Sequence, residues 1–253
     1  MSQRRAAVRR LFCLLAALAL LLSGCASRRT EQADSPPPRE SLYVPEAPPK
    51  EEPPGEAADP PAPPETPAEF VRAADYIPDI AVDLRYASED NFTGQVIYGF
   101  SDAWLRYGTV QKLSAVQAAL GEKGLGLKIW DAFRPPAAQF RLWEACPDGR
   151  YVANPEKGFS AHSRGNTVDV TLVDGDGAEL EMPSGFDDFS PKADRDYGDA
   201  SPQAAENARL LEDAMTAAGF TPYAGEWWHY SDTERYEVEE DFLPPETGGT
   251  NDG

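Results

Sequence analysis

The amino-acid sequence predicts an α+β domain: a single compact unit with a mainly antiparallel sheet flanked by helices, preceded by a leader and a Pro-rich spacer. Three observations predict it. Strand-like alternating runs and helix-like periodic runs come in blocks, without the regular βαβ alternation of a parallel sheet. Thr167-Val168-Asp169-Val170-Thr171-Leu172-Val173 alternates, and Asp174-Gly175-Asp176-Gly177 after it is a turn signal for an antiparallel return. Residues 69–244 are of a size to hold one core, and no internal repeat is visible.

The chain opens on a segment that is not part of that core. Arg4, Arg5, Arg9 and Arg10 form a basic stretch, residues 11–22 an apolar one, and Leu22-Ser23-Gly24-Cys25 follows. The apolar run falls short of the roughly 20 residues of a membrane span. The small-residue site ending in Cys resembles the lipobox of bacterial lipoproteins, which implies a signal peptide over residues 1–24, cleavage before Cys25 and lipidation there. Loss of four Arg and no acids takes the formal charge from −20 to −24. So acidic a body excludes binding to nucleic acid or an anionic bilayer through surface charge, and leaves membrane attachment to the lipid. Cys13 leaves with the signal and Cys25 carries lipid, so Cys146 has no disulfide partner within the chain. Residues 25–68 turn to Pro, Glu, Ala and Ser, with runs such as Asp59-Pro60-Pro61-Ala62-Pro63-Pro64, and read as a disordered, partly polyproline linker. Tyr43 and Val44 are its isolated apolar pair. Residues 245–253 read as a disordered tail.

Within residues 69–244 the elements follow in order. Residues 76–86 read as a strand and Asn91-Phe92-Thr93-Gly94 as a turn. Val110, Leu113, Val116 and Leu120 have helical spacing over residues 109–123, and Gly124 ends the run. Residues 127–133 alternate as a strand and deliver Arg134-Pro135-Pro136, whose prolines suit the first turn of a helix carrying Phe140, Leu142 and Trp143. Residues 167–173 form a half-buried strand, with Val168, Val170 and Leu172 on one face and Asp169 and Thr171 on the other. A return arm over residues 178–182 would complete a hairpin. The Asp/Gly run between them lacks the ligand spacing and terminal Glu of an EF-hand loop. Ser201 caps a helix with Pro202 at its first position, running to Gly219, and residues 226–231 are a last strand or its approach.

The chemistry concentrates at the chain's two histidines, His162 and His229. A lone His before a Gly-containing loop is ordinarily a capping residue, and an Asp in an apolar run a turn or a buried acceptor. Here each His has a carboxylate at short spacing, and Asp169 projects from a strand where an unpartnered acid is costly. His162, Asp169 and His229 are the donor set of a catalytic zinc site, which uses three protein ligands and keeps a fourth position open.

Ser160-x-His162-x-x-Gly165-x-x-x-Asp169 and Glu226-x-x-His229 resemble the zinc motifs of the D,D-carboxypeptidase and dipeptidase superfamily. With Asp90-Asn91-Phe92-Thr93-Gly94, Trp130-Asp131-Ala132-Phe133-Arg134-Pro135 and Glu226-Trp227-Trp228-His229-Tyr230, the chain is similar to the D-alanyl-D-alanine dipeptidase (VanX-type) branch over residues 76–230. The resemblance implies one Zn²⁺ per chain on His162, Asp169 and His229, Glu226 as catalytic base and Arg134 as partner of the oxyanion. It further implies Tyr86, Ser160 and Asp187 near the substrate ammonium and pocket wall, with Asp188 as the neighbour onto which the match could slip. Glu226 and His229 differ by three, so a regular strand would point them apart, and the backbone there must be bulged, coiled or helical.

The expectation is an extracytoplasmic, membrane-anchored zinc dipeptidase that hydrolyses the dipeptide D-alanyl-D-alanine. Its alternatives are a D,D- or L,D-carboxypeptidase trimming peptidoglycan stem peptides, or a non-catalytic wall-binding lipoprotein. A retained Glu226 speaks against the last, since a binding module needs no base.

Overall fold

The computed structural model describes residues 60–149 and 152–246. The expected signal, Cys25, Tyr43, Val44 and most of the expected linker lie outside the described residues, as does most of the expected tail. The organising element is Thr167–Asp174 (β5), which carries neighbours on both edges in a five-stranded sheet. One neighbour is Leu125–Asp131 (β4), antiparallel from Leu125 opposite Asp174 to Asp131 opposite Asp169. The other is His229–Asp232 (β7), antiparallel with His229 opposite Asp169. Outside these lie Ala81–Val82 (β2), parallel to β4, and Phe220–Pro222 (β6), antiparallel to β7. A separate ribbon pairs Phe70–Arg72 (β1) with Trp104–Arg106 (β3). The mainly antiparallel sheet expected from the sequence is the one observed.

Helices form where their periodicity and caps put them. Tyr107–Gly121 (α1) buries Val110, Leu113, Val116 and Leu120 on one face. Pro136–Ala145 (α2) starts on its proline. In Pro202–Ala217 (α3) the Ser201 hydroxyl accepts from Ala204 N at 3.1 Å, satisfying an amide the helix leaves free. Helices α1 and α3 pack on each other and on the sheet. They meet the Val168, Val170 and Leu172 face of β5, all fully buried in one cluster with Leu113, Leu211 and Met215. Each such side chain contributes about 1.5–3 kcal/mol by leaving water.

Three expectations need correction. Strand β5 is buried on both faces at every position but its last, because Asp169 and Thr171 face packed side chains and cavities rather than open solvent. The strand expected over residues 76–86 shrinks to the two residues of β2, flanked by 3-10 turns at Ala73–Asp75 and Arg85–Ala87. Pro78 has no N–H to give, and Ile80 N closes a turn on the Ile77 carbonyl at 3.1 Å, so pairing begins only at Ala81. The 174–177 turn forms, with Gly177 at φ 80°, but its return arm makes a single bridge, Val173 to Glu179, and no strand. The arm stops there because the next stretch of that β5 edge is taken: Val170 N donates to the Trp228 carbonyl at 3.0 Å.

Gly165 closes the 3-10 turn Ala161–Arg164 that carries His162. Its φ is 74°, and a Cβ there would lie 2.4 Å from Phe70 Cε1. Phe70 cannot step aside freely: it stacks on Phe242 at 4.2 Å between ring centroids. Gly165→Ala should destabilise the domain by about 2–3 kcal/mol through left-handed strain and overpacking. A drop of about 4–12 °C in Tm is the readout for a domain of this size.

Candidate metal centre and catalytic cavity

His162 is aimed by its short turn. The Ser160 hydroxyl accepts from His162 N at 3.3 Å, and Gly165 ends the turn in the left-handed region. The Nδ1 of His162 sits 2.8 Å from the carbonyl oxygen of Ala132. A carbonyl only accepts, so Nδ1 carries the proton and Nε2 keeps its lone pair. His162 Nε2 lies 3.4 Å from Asp169 Oδ2, and His229 Nδ1 lies 3.0 Å from Asp169 Oδ1. The strand register explains the second contact, since residues directly opposite in an antiparallel pair share a face. The ligand atoms of His162, Asp169 and His229 all fall within 4.8 Å of one another.

These residues fit a zinc ion. Two imidazole nitrogens and a carboxylate are its donor set, and Asp169 Oδ1 is buried with no hydrogen-bond partner among the described residues. His229 Nδ1 lies 3.0 Å from that oxygen without completing a hydrogen bond, an arrangement that suits two donors sharing a cation. Burial pushes the Asp169 carboxyl up, but His162 and His229 beside it win and hold it well below the usual carboxylate range. Burial pulls His162 down, and Asp169 and Asp131 more than offset it, so the net direction is upward.

Glu226 and His229 are joined by a turn, closed by His229 N donating to the Glu226 carbonyl at 3.3 Å. The non-strand backbone that the spacing of three demands is therefore present. It brings Glu226 Oε2 to 3.5 Å from His229 Nδ1. Burial raises the Glu226 carboxyl, the charge of Asp169 raises it further, and His229 opposes both.

Arg134 follows β4 and is almost fully buried. Asp131 Oδ2 receives its Nη2 at 2.5 Å and its Nε at 3.2 Å, and Gln139 Oε1 receives Nη1 at 3.0 Å. The guanidinium lies 5.1 Å from the centre of the Tyr86 ring. The Tyr86 hydroxyl donates to Asp187 Oδ2 at 2.8 Å. Asp187 adopts φ 54°, a conformation Asp tolerates better than most side chains. The neighbouring Asp188 is occupied in a turn, accepting from Ser190 N at 2.8 Å, so Asp187 is the one that faces inward.

One cavity of about 340 Å³ is lined by every predicted side chain: Tyr86, Arg134, Ser160, His162, Asp169, Asp187, Glu226 and His229. Sequence reasoning missed Asp131 and Gln139, which hold Arg134, and Tyr223, whose ring stands 5.7 Å from that of His229. Asp131 had a signal, standing three residues before Arg134 in the same motif; Gln139 and Tyr223 had none.

Burial pushes the Asp187 carboxyl up to about 8, with Asp169 and Glu226 adding to it. The unfolded chain loses that proton near 3.8, so between the two values unfolding releases a proton and stability falls as pH rises. Asp187→Asn removes the titration while tolerating the backbone. In metal-free protein its Tm advantage over the parent should grow from pH 5 to pH 8, read by calorimetry.

The family described as Peptidase_M15, D-ala-D-ala dipeptidase, matches residues 66–244. The D-alanyl-D-alanine dipeptidase of Escherichia coli (strain K12) is 39% identical over 162 residues, covering 64% of this chain and 83% of the relative. That of Enterococcus faecalis (strain ATCC 700802 / V583) is 35% identical over 173 residues, covering 58% and 83%. Of solved structures, VanYB in complex with D-Alanine-D-Alanine matches 62% of this chain and 78% of that chain at 15% identity, with a TM-score of only 0.36.

Proposed function

The chain belongs to the Peptidase_M15 family of D-ala-D-ala dipeptidases, and on that premise we propose that it hydrolyses free D-alanyl-D-alanine to D-alanine with Glu226 as general base. The observation that carries this reading is the placement of Glu226 beside His229, in the same cavity as all three candidate ligands. When bound, zinc supplies Lewis acidity, bringing the pKa of a water toward neutrality and polarising a carbonyl. His162, Asp169 and His229 would hold it. Glu226 takes the proton of the attacking water and passes it to the leaving amine, a task its place beside His229 in the cavity allows. Arg134 donates to the oxygen on which charge develops, and Asp131 and Gln139 fix it in advance, so no reorganisation is needed during the reaction. Asp187 and Tyr86 meet the substrate ammonium, whose charge favours the ionised form of Asp187.

The leader supports a lipoprotein held outside the cytoplasm by lipid on Cys25. A dipeptidase that confers vancomycin resistance must destroy the free dipeptide in the cytoplasm. An exported enzyme is better suited to dipeptide scavenging or wall-fragment recycling. Two measurements test the reading. The soluble domain from residue 69 onward should hold about one zinc and release D-alanine from the free dipeptide, but leave an acylated tripeptide ending in D-Ala-D-Ala untouched. Faster turnover of the tripeptide would make it a carboxypeptidase. Mass spectrometry of the full chain should find acyl groups on Cys25, and an unmodified Cys25 would remove the anchor.

A further inference from the structure

The exposed half of the turn that carries Glu226 is tied from outside the cavity by Arg195. We propose that Arg195 is a positioning residue that sets Glu226 against His229, an inference that rests on the dipeptidase reading above. Its Nε donates to the Tyr223 carbonyl at 2.7 Å and its Nη2 to the His229 carbonyl at 3.0 Å. Those are the two ends of the loop that bears Glu226. The same two carbonyls close the loop on itself, since Tyr223 N donates to His229 O and Glu226 N to Tyr223 O. The remaining nitrogen, Nη1, reaches Glu212 Oε2 and the Tyr230 hydroxyl, each at 3.0 Å, and the guanidinium lies over the Tyr230 ring.

The two halves of the loop are anchored differently. Trp227 and Trp228 are buried, so apolar packing fixes the half that leads into β7. Tyr223, Ala224 and Gly225 are exposed and contribute no core. Apart from the loop's own bonds, that half is tied by Arg195: its side chain bonds the Tyr223 carbonyl, and its backbone N donates to Ala224 O at 3.3 Å. Glu226 sits where the exposed half meets the buried one, so its carboxylate follows the clip. A planar fork can bridge two carbonyls while paired to a carboxylate; a lysine ammonium is a point charge that cannot hold that geometry.

The experiment compares the full chain with its Arg195→Lys and Arg195→Ala variants, each loaded with zinc, for kcat and KM on D-Ala-D-Ala, zinc Kd by competition with a chromogenic chelator, and Tm. Arg195→Lys keeps the charge beside Glu212 and should keep the fold. Its kcat should fall by about 10-fold or more with KM within about 2-fold, the mark of a misplaced group rather than lost binding. Its zinc Kd should rise by about 3-fold or more, as His229 loses its carbonyl tether. Arg195→Ala should exceed both effects if it folds, and Arg195→Lys decides the matter if it does not. Parental kcat and zinc Kd in Arg195→Lys, whatever its Tm, would overturn the proposal. A parent protein inert on the dipeptide would instead sink the dipeptidase reading, and the zinc Kd would still report whether Arg195 positions His229.

Discussion

Glu226→Gln should keep about one zinc per chain and lose hydrolysis by roughly 10²-fold or more, the usual worth of a positioned general base. Glutamine preserves the length, shape and hydrogen bonding of the side chain but cannot take a proton. Glu226 is outside the set of three ligand atoms, so the change leaves His162, Asp169 and His229 in place. His162→Ala or His229→Ala should behave differently: each deletes a lone pair and should lose metal and turnover together. Zinc by atomic absorption beside turnover on D-Ala-D-Ala separates the two classes. A zinc-depleted Glu226→Gln would make Glu226 a ligand and leave the base unidentified.

Asp131→Asn should be the most damaging change among residues that are neither candidate ligands nor proposed catalytic groups, because Asp131 supports both kinds. Asp131 is fully buried and answers four groups: Arg134, the Tyr98 hydroxyl at 2.7 Å, Ala132 N at 2.9 Å, and His162 Nδ1 at 3.6 Å. Asparagine fits the space and removes the charge, which leaves the Arg134 guanidinium buried without its counter-ion. Breaking a buried pair on one side costs about 3–5 kcal/mol. Urea unfolding reads that loss, and kcat/KM should fall as well because Arg134 is no longer aimed. An unfolding free energy within about 1 kcal/mol of the parent would mean that Arg134 finds another partner.

The parts of the site that were legible in the sequence are those whose chemistry is rare. Two histidines in the whole chain, each near a carboxylate, narrowed the candidate ligands to His162, Asp169 and His229 without any fold. The spacing of Glu226 and His229 required a break from strand geometry, and the turn supplies it. The supporting groups were not legible. Gln139 and Arg195 are ordinary residues whose partners lie across the fold: Gln139 bonds Ala153, and Arg195 bonds Tyr223 and His229. Secondary structure followed the same division. Periodic α1 and α3, the latter capped by Ser201, were readable within a few residues, whereas β2 and the arm after Gly177 depended on partners elsewhere: a turn closed by Ile80 N on Ile77, and a β5 edge taken by Trp228.

With His162, Asp169 and His229 as the proposed ligands, the pairing of Asp169 with His229 across β5 and β7 also sets when a metal could be captured. Donors at positions 162 and 169 sit within one short stretch, but the third arrives only after some sixty more residues, on a strand that has to dock along the edge of β5. A nascent chain emerging N-terminus first therefore passes through a long interval with two donors and no third. Capture becomes tight only once β7 is in register, so a filled centre reports that the sheet has closed.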